Sequence, residues 1–225
     1  MSGPRSRLDV LAEIGAPASS NGRAWGLRRN DLEQLDAARE RLEGKRVVLV
    51  TGEEAATATV AVALAGVFAA AGTSTALVEC DVERPRIAAA LGLSPTPGLH
   101  EYLRWEATPP DVVQPLALAG AAAGGPGRLV CVCAGRPGGS TRGLLDLGSF
   151  RHMTAKLREA YEVTVLLGPP LEGAGGGLGS AAAAADCAVA ALTQRPSRRY
   201  AKATHEVLAR LQTRPVGAIV ATASE

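Results

Sequence analysis

The residues from Thr51 to Thr59, TGEEAATAT, lie between a run of strand formers, VVLV, and an apolar helical segment, VAVALAG. A strand, a short glycine-containing turn and a helix in that order is a common way to hold a phosphate on backbone N–H groups at the helix start. A working phosphate loop, G-x-x-x-x-G-K-[ST], needs glycines to aim those N–H groups inward, a lysine for the terminal phosphates and a hydroxyl for magnesium. Gly52 is the single glycine here, there is no lysine between Arg46 and Ala155, and Ala58 stands near where the magnesium-binding hydroxyl belongs. Thr57 and Thr59 are the hydroxyls left to do that work. Two carboxylates, Glu53 and Glu54, sit in the turn instead.

Thr51-x-x-Glu54 has the form of a capping box, in which the threonine accepts from the backbone three residues on and the glutamate bonds back. The sequence therefore predicts a helix that closes its own N-terminus. Acidic side chains are also favoured at the positive end of a helix dipole, the position a phosphate would want. A carboxylate about 5 Å from a phosphate charge is repelled by roughly 3 kcal/mol at an effective dielectric of about 20, or about a hundredfold in affinity. A second acidic pair, Glu79-x-Asp81, follows the apolar run Ala76–Cys80. These carboxylates could serve magnesium, with an arginine such as Arg84 replacing the lysine. An arginine within reach of the loop favours that reading, and Glu54 folded back onto Thr51 counts against it.

The chain of 225 residues is long enough for one α/β core. Hydrophobic residues are 47% and charged residues 20%, a globular balance, whereas aromatics are only 3%, so Ala, Val and Leu must build the interior. A formal net charge of +2 gives no electrostatic reason to expect nucleic acid. The N-terminus lacks a secretory h-region, and the longest apolar run, Val60 to Ala71, is shorter than the roughly 20 residues that span a bilayer. A cytoplasmic chain is expected, with Cys80, Cys131, Cys133 and Cys187 as free thiols in the core. No His or second Cys pair has metal-ligand spacing, and no metal site is expected.

Residues 1–30 read as a flexible arm rich in Ser, Gly, Pro and Arg, followed by one domain over 31–225. Strands are expected at Arg46–Val50, Ala76–Cys80, Leu129–Ala134, Thr164–Leu167, Ala188–Leu192 and Val216–Val220. Helices are expected at Asp31–Leu42, Thr57–Ala71, Ile87–Leu91, Gly98–Arg104, Ser149–Ala160 and Arg199–Leu211. Strands that are apolar throughout and alternate with helices argue for a mostly parallel sheet covered on both faces, a three-layer α/β/α fold. Ligands of such folds sit at the carboxyl ends of the strands.

The stretch ALVECDVERPRIAAALGL (Ala76–Leu93), followed by Gly98-Leu-His-Glu-Tyr-Leu103, resembles bacterial tyrosine kinases, in which a strand ends in Asp-x-Asp before an arginine–proline turn, a short helix and Gly-Leu-x-x-x-Leu. The resemblance runs from about Val47 to Val220 and includes YEVTVLLGPP (Tyr161–Pro170), similar to a strand ending in Asp-x-Pro-Pro. It implies a fold related to the deviant P-loop ATPases and a role in capsule and exopolysaccharide synthesis. Carried over by position, the acids of the second motif fall on Glu79 and Asp81, the magnesium-organising Asp of the third on Leu167, and the Asn near the adenine on Ala221. The oligomer motif Glu-x-x-Arg-x-x-Arg falls on Gly22, Trp25 and Arg28, one match in three, and no tyrosine-rich tail follows Tyr200.

The chain is thus expected to be a degenerate kinase-like domain with no catalytic residues and no cofactor. Gly52, Thr57, Thr59, Glu79 and Asp81 mark the remnant of a nucleotide site. A membrane polysaccharide co-polymerase, a related kinase or a second copy is the implied partner, with recruitment to the inner face of the membrane. The alternative is an active tyrosine kinase or ATPase using ATP and magnesium through an unusual phosphate loop. Gly138–Thr141 reads as a connecting loop, Gly173–Ala185 as a flexible loop leading into an Ala-rich helix, and the cluster Arg195, Arg198, Arg199 and Lys202 as a solvated helix start. His100, His152 and His205 have no triad-like company.

Overall fold

A computed structural model describes residues 8–15, 29–116, 128–136, 141, 143–172 and 177–222. Eight strands form one sheet: β1 (Val10–Gly15), β2 (Val47–Gly52), β3 (Thr75–Glu79), β4 (Gln114–Pro115), β5 (Leu129–Val132), β6 (Val163–Leu167), β7 (Cys187–Leu192) and β8 (Pro215–Thr222). Their order is β1-β8-β7-β2-β6-β3-β5-β4, and only the short β4 runs antiparallel to its neighbour. The helices are α1 (Arg29–Arg41), α2 (Glu54–Ala70), α3 (Ile87–Leu91), α4 (Leu99–Leu103), α5 (Pro109–Val112), α6 (Gly148–Ala160), α7 (Leu178–Ala184) and α8 (Arg198–Arg210).

The expected three layers are present. In β2, Val47 and Leu49 enter one apolar cluster with side chains of α4 to α8, while Val48 and Val50 enter the other with α1, α2 and α3. Every residue of β2, β3, β5, β6 and β7 is buried, as required of strands covered on both faces. Helix α2 is apolar almost all round, with twelve buried residues between Ala56 and Ala69, because α1 covers the side that the sheet does not. Among the described residues no helix is long and apolar enough to cross a membrane. All four cysteines are buried and unpaired, and burial pushes the Cys187 thiol up to about 12 and raises Cys80 as well.

The N-terminal arm expected over residues 1–30 is not an arm throughout. Val10–Gly15 forms the edge strand β1, parallel to β8, and α1 begins within the same stretch at Arg29. Two side chains of α1 satisfy this strand: Glu13 N–H donates to Gln34 Oε1 (3.0 Å) and Gly15 N–H to Asp31 Oδ1 (3.1 Å). An edge whose N–H groups are already used is a poor template for another strand. Gly22, Trp25 and Arg28, and the segment Gly138–Ser140, lie outside the described residues.

Asp186 fixes the other end of the sheet, where β2 and β7 begin. Its carboxylate accepts from Arg46 N (2.8 Å), Val47 N (2.9 Å) and Arg158 Nη2 (2.7 Å). Partial burial alone would raise its pKa, but the Arg158 hydrogen bond and the two backbone donors outweigh it and hold the carboxyl below its ordinary value. The stability it supplies is therefore complete above the unfolded aspartate pKa and lost as pH falls through the lowered folded one. Asp186→Ala should cost roughly 1–3 kcal/mol at neutral pH in urea unfolding, and the gap to wild type should close in strong acid.

Candidate functional site

The carboxyl ends of β2, β3, β6 and β7 meet where α2 departs from the sheet, at the sequence TGEEAAT. Strand β2 runs through Gly52 and α2 begins at Glu54, so a single residue, Glu53, connects them. Residues that would have formed an open cradle are already helical: Ala56 and Thr57 donate their N–H groups to Glu53 O at 3.0 and 3.1 Å. Those donors cannot also point at a phosphate.

The capping box expected at this helix is not formed. Thr51 pairs with Ala190 inside the sheet, and its hydroxyl donates across to Pro169 O (2.5 Å). Glu53 is the N-cap residue and makes no side-chain cap. Strand pairing and the bond to Pro169 O commit Thr51 elsewhere. Gly52 is required here by its φ of +148° and because any Cβ would run into the backbone of Ala191.

The two glutamates turn outward to other loops. Glu53 Oε2 accepts from Thr193 N (2.7 Å) and Thr193 Oγ1 (2.5 Å). Burial, then the charges of Glu53 and Glu172, raise the Tyr200 pKa. Glu54 Oε2 accepts from Arg84 Nη1 (2.8 Å) and its Oε1 lies 3.8 Å from Arg86 Nη1. Arg86 reaches further in, donating to Glu54 O (2.6 Å) and to Thr57 Oγ1 (3.2 Å). Both guanidinium groups also face Asp81 Oδ2, Arg84 at 3.7 Å and Arg86 at 3.6 Å.

Two cations thus face two carboxylates over the start of α2, and little positive charge is left over for a phosphate. Asp81 is almost fully buried, and burial raises its pKa despite Arg84 and Arg86 beside it. Glu79 is fully buried and spends both oxygens on backbone: Oε1 accepts from Arg86 N (2.5 Å) and Ile87 N (2.8 Å), and Oε2 from Ala134 N (3.0 Å). That role is positional. Glu79 holds the 80–86 loop, and with it both arginines, against α2.

Of the five residues singled out in the sequence, Gly52, Thr57, Glu79 and Asp81 are brought to this corner. Thr59 lies two residues past Thr57, roughly 200° round the helix, and takes no part. Leu167 is buried at the end of β6, and the loop after it is tied to β2 by Gly168 N to Val50 O and Leu171 N to Gly52 O, both 2.9 Å. Ala221 lies buried in β8. Among the described residues no group of three or more His, Cys, Asp or Glu is placed to hold a metal ion.

This geometry can be set against known proteins. No protein-family model matches the chain, and no curated protein sequence does. Solved structures do match. The kinase domain of the Escherichia coli tyrosine kinase ETK superposes with a TM-score of 0.78 at 16% identity over 99% of this chain and 95% of that one. The fold is that of the bacterial tyrosine kinase domains. A chimerical protein, CapA2B2, matches equally, at 0.78 and 16% over 95% of this chain and 93% of that one. The septum site-determining protein MinD of Pyrococcus horikoshii, solved with Mg-ADP, matches at 0.58 and 16% over 78% of this chain and 69% of that one.

Arg86 was missed as a site residue in the sequence, although its spacing of five from Asp81 on a short loop was a usable signal. Thr193 gave none, since nothing local distinguishes it. A direct check concerns Glu79. Burial is the first cause of its raised pKa, the three backbone donors oppose it, and the Asp81 charge adds to it. A carboxyl with a raised folded pKa binds more protons folded than unfolded, so it makes stability fall as pH rises from the ordinary glutamate range through the raised value. Glu79→Gln should flatten that part of the pH–stability curve in thermal melts. The variant should also be less stable in acid, because its amide places a donor against Ala134 N–H or Arg86 N–H.

Proposed function

We propose that this chain is a degenerate kinase-fold domain that works by binding, as a regulatory or scaffolding partner in exopolysaccharide or capsule biosynthesis. The observation that carries the reading is the start of α2. It begins one residue after β2, its N–H groups at Ala56 and Thr57 are used within the helix, and Arg86 lies on Glu54 O and Thr57 Oγ1. Phosphoryl transfer depends on preorganised backbone donors and on cations placed against the transferring group. Here the N–H groups of Ala56 and Thr57 are used within the helix, and Arg84 and Arg86 are paired with Glu54 and Asp81. The fold it shares with tyrosine kinase domains supports the pathway assignment, with a membrane polysaccharide co-polymerase or a related kinase as the partner. Such a domain works in the cytoplasm, drawn to the inner face of the membrane by that partner.

A second reading rests on two observations. Arg84 and Arg86 do reach the loop, as an active ATP- and magnesium-dependent enzyme with an arginine in place of the lysine would require, and Glu54 is not folded back onto Thr51. For it to operate, both would have to leave their carboxylates and the first turn of α2 would have to unwind. Titration with ATP and magnesium, read by heat and by melting temperature, separates the two. A nucleotide at a hundred times its Kd would stabilise the fold by about 2.7 kcal/mol, or roughly 5–10 °C for a chain of this size. The binding-domain reading predicts no magnesium-dependent heat and no shift at millimolar nucleotide. Saturable micromolar binding that requires magnesium would overturn it.

A further inference from the structure

Helix α8 carries positive charge that its folding does not need. Between Arg195 and Arg214 stand Arg195, Arg198, Arg199, Lys202, Arg210 and Arg214, six of the chain's 24 Lys and Arg, against Glu206, one of its 22 Asp and Glu, so the rest of the chain is net acidic. All seven side chains are exposed. Arg195 is paired with Glu13 of β1, and Lys202 lies 3.9 Å from Glu206. Among the described residues no carboxylate stands within ion-pair distance of Arg198, Arg199 or Arg210.

The charges form a stripe. At 3.6 residues per turn, Arg198, Arg199, Lys202 and Arg210 share an arc of roughly 120°, opposite Ala201, Thr204 and Leu208, which the helix buries. Tyr200 (36% exposed) and Val207 (40% exposed) stand side by side on one flank of that arc. A helix start favours negative side chains, yet α8 has none in its first turn and places Arg198 and Arg199 there, against the macrodipole. Ser197 Oγ already caps the helix by accepting from Tyr200 N (3.2 Å), so the arginines add nothing to its closure. Helix stability favours acids at both positions.

We propose that this face of α8 binds directly to a bilayer surface that carries anionic lipids, with the helix lying flat, its arginines among the headgroups and Tyr200 and Val207 at the headgroup–acyl boundary. The stripe from Arg198 to Arg210 is straight and about 18 Å long, which suits a plane. A tyrosine and an aliphatic side chain exposed beside cations are what an interfacial helix uses, the apolar edge entering while Lys and Arg stay with the phosphates. A nucleic acid offers phosphates too, but it gains nothing from Val207, and the net acidic remainder of the chain repels its length. A bilayer meets one side only. Each Lys or Arg near an anionic surface is worth roughly fivefold in affinity, so Arg198, Arg199 and Arg210 together favour anionic over neutral lipid by about a hundredfold. The contact rests on the membrane recruitment proposed above and deepens it, but it needs no partner protein, so it stands or fails separately from the state of the β2–α2 corner.

Co-sedimentation of the full chain with vesicles tests it. The protein should pellet with vesicles of phosphatidylcholine containing about one-third phosphatidylglycerol and not with phosphatidylcholine alone, and rising salt should release it as the charges are screened. Arg198→Glu and Arg199→Glu together should weaken binding by about twentyfold or more while the variant melts at the same temperature or higher, because acids suit the start of α8. Val207→Ser should weaken binding severalfold and leave the salt dependence unchanged. A wild type that stays in the supernatant with anionic vesicles, a double variant that binds them as wild type does, or tighter binding to a DNA duplex than to the vesicles overturns the proposal.

Discussion

The start of α2 is the constraint on which the rest of this corner depends. The helix leaves its strand after one residue, uses the Ala56 and Thr57 N–H groups in its own ladder, and has the charges around its positive end paired among side chains. Glu53 and Glu54 supply negative charge there, but by reaching to neighbouring loops rather than by capping their own helix. Glu53 binds the loop after β7 through Thr193, and Glu54 binds the loop after β3 through Arg84. Glu79, buried beneath, holds the backbone that presents Arg86. Two loops at the carboxyl edge of the sheet are therefore tied to one helix end, in a place where open α/β sheets usually leave a crevice.

The fold here does not depend on the residues of the β2–α2 turn. The sheet order, the buried α2 and the two apolar clusters rest on the burial of Ala, Val and Leu, and none of them needs the phosphate loop. A loop with no lysine and two glutamates leaves that burial untouched, and Glu54 pairs with Arg84 and Arg86 on the adjoining loop. Fold alone does not fix function, so the reading proposed above rests on the corner and not on the sheet.

Most of the sheet could be read from the sequence because each central strand is a short apolar run buried on both faces. Strand β1 could not, since VLAEIG is brief, carries Glu13 and stands among residues that favour loops; its stability comes from β8 and from Asp31 and Gln34 far along the chain. The capping box failed for a similar reason, because pairing of β2 with β7 claimed Thr51. Local sequence suggested that the corner was closed by its own side chains, and it pointed to Arg84. The arrangement that closes it, with Arg86 over Thr57 and Glu79 behind both, depends on tertiary contacts between loops, and local spacing carries little of that.

The central claim is that these side chains occupy the place of a phosphate and that the helix start does not open. A crystal structure of the protein grown in millimolar ADP and magnesium addresses it most directly. The account predicts α2 beginning at Glu54, Arg86 on Glu54 O and Thr57 Oγ1, and no nucleotide density over the helix. A first turn unwound around a bound phosphate, with Arg84 or Arg86 swung from its carboxylate onto it, would contradict it.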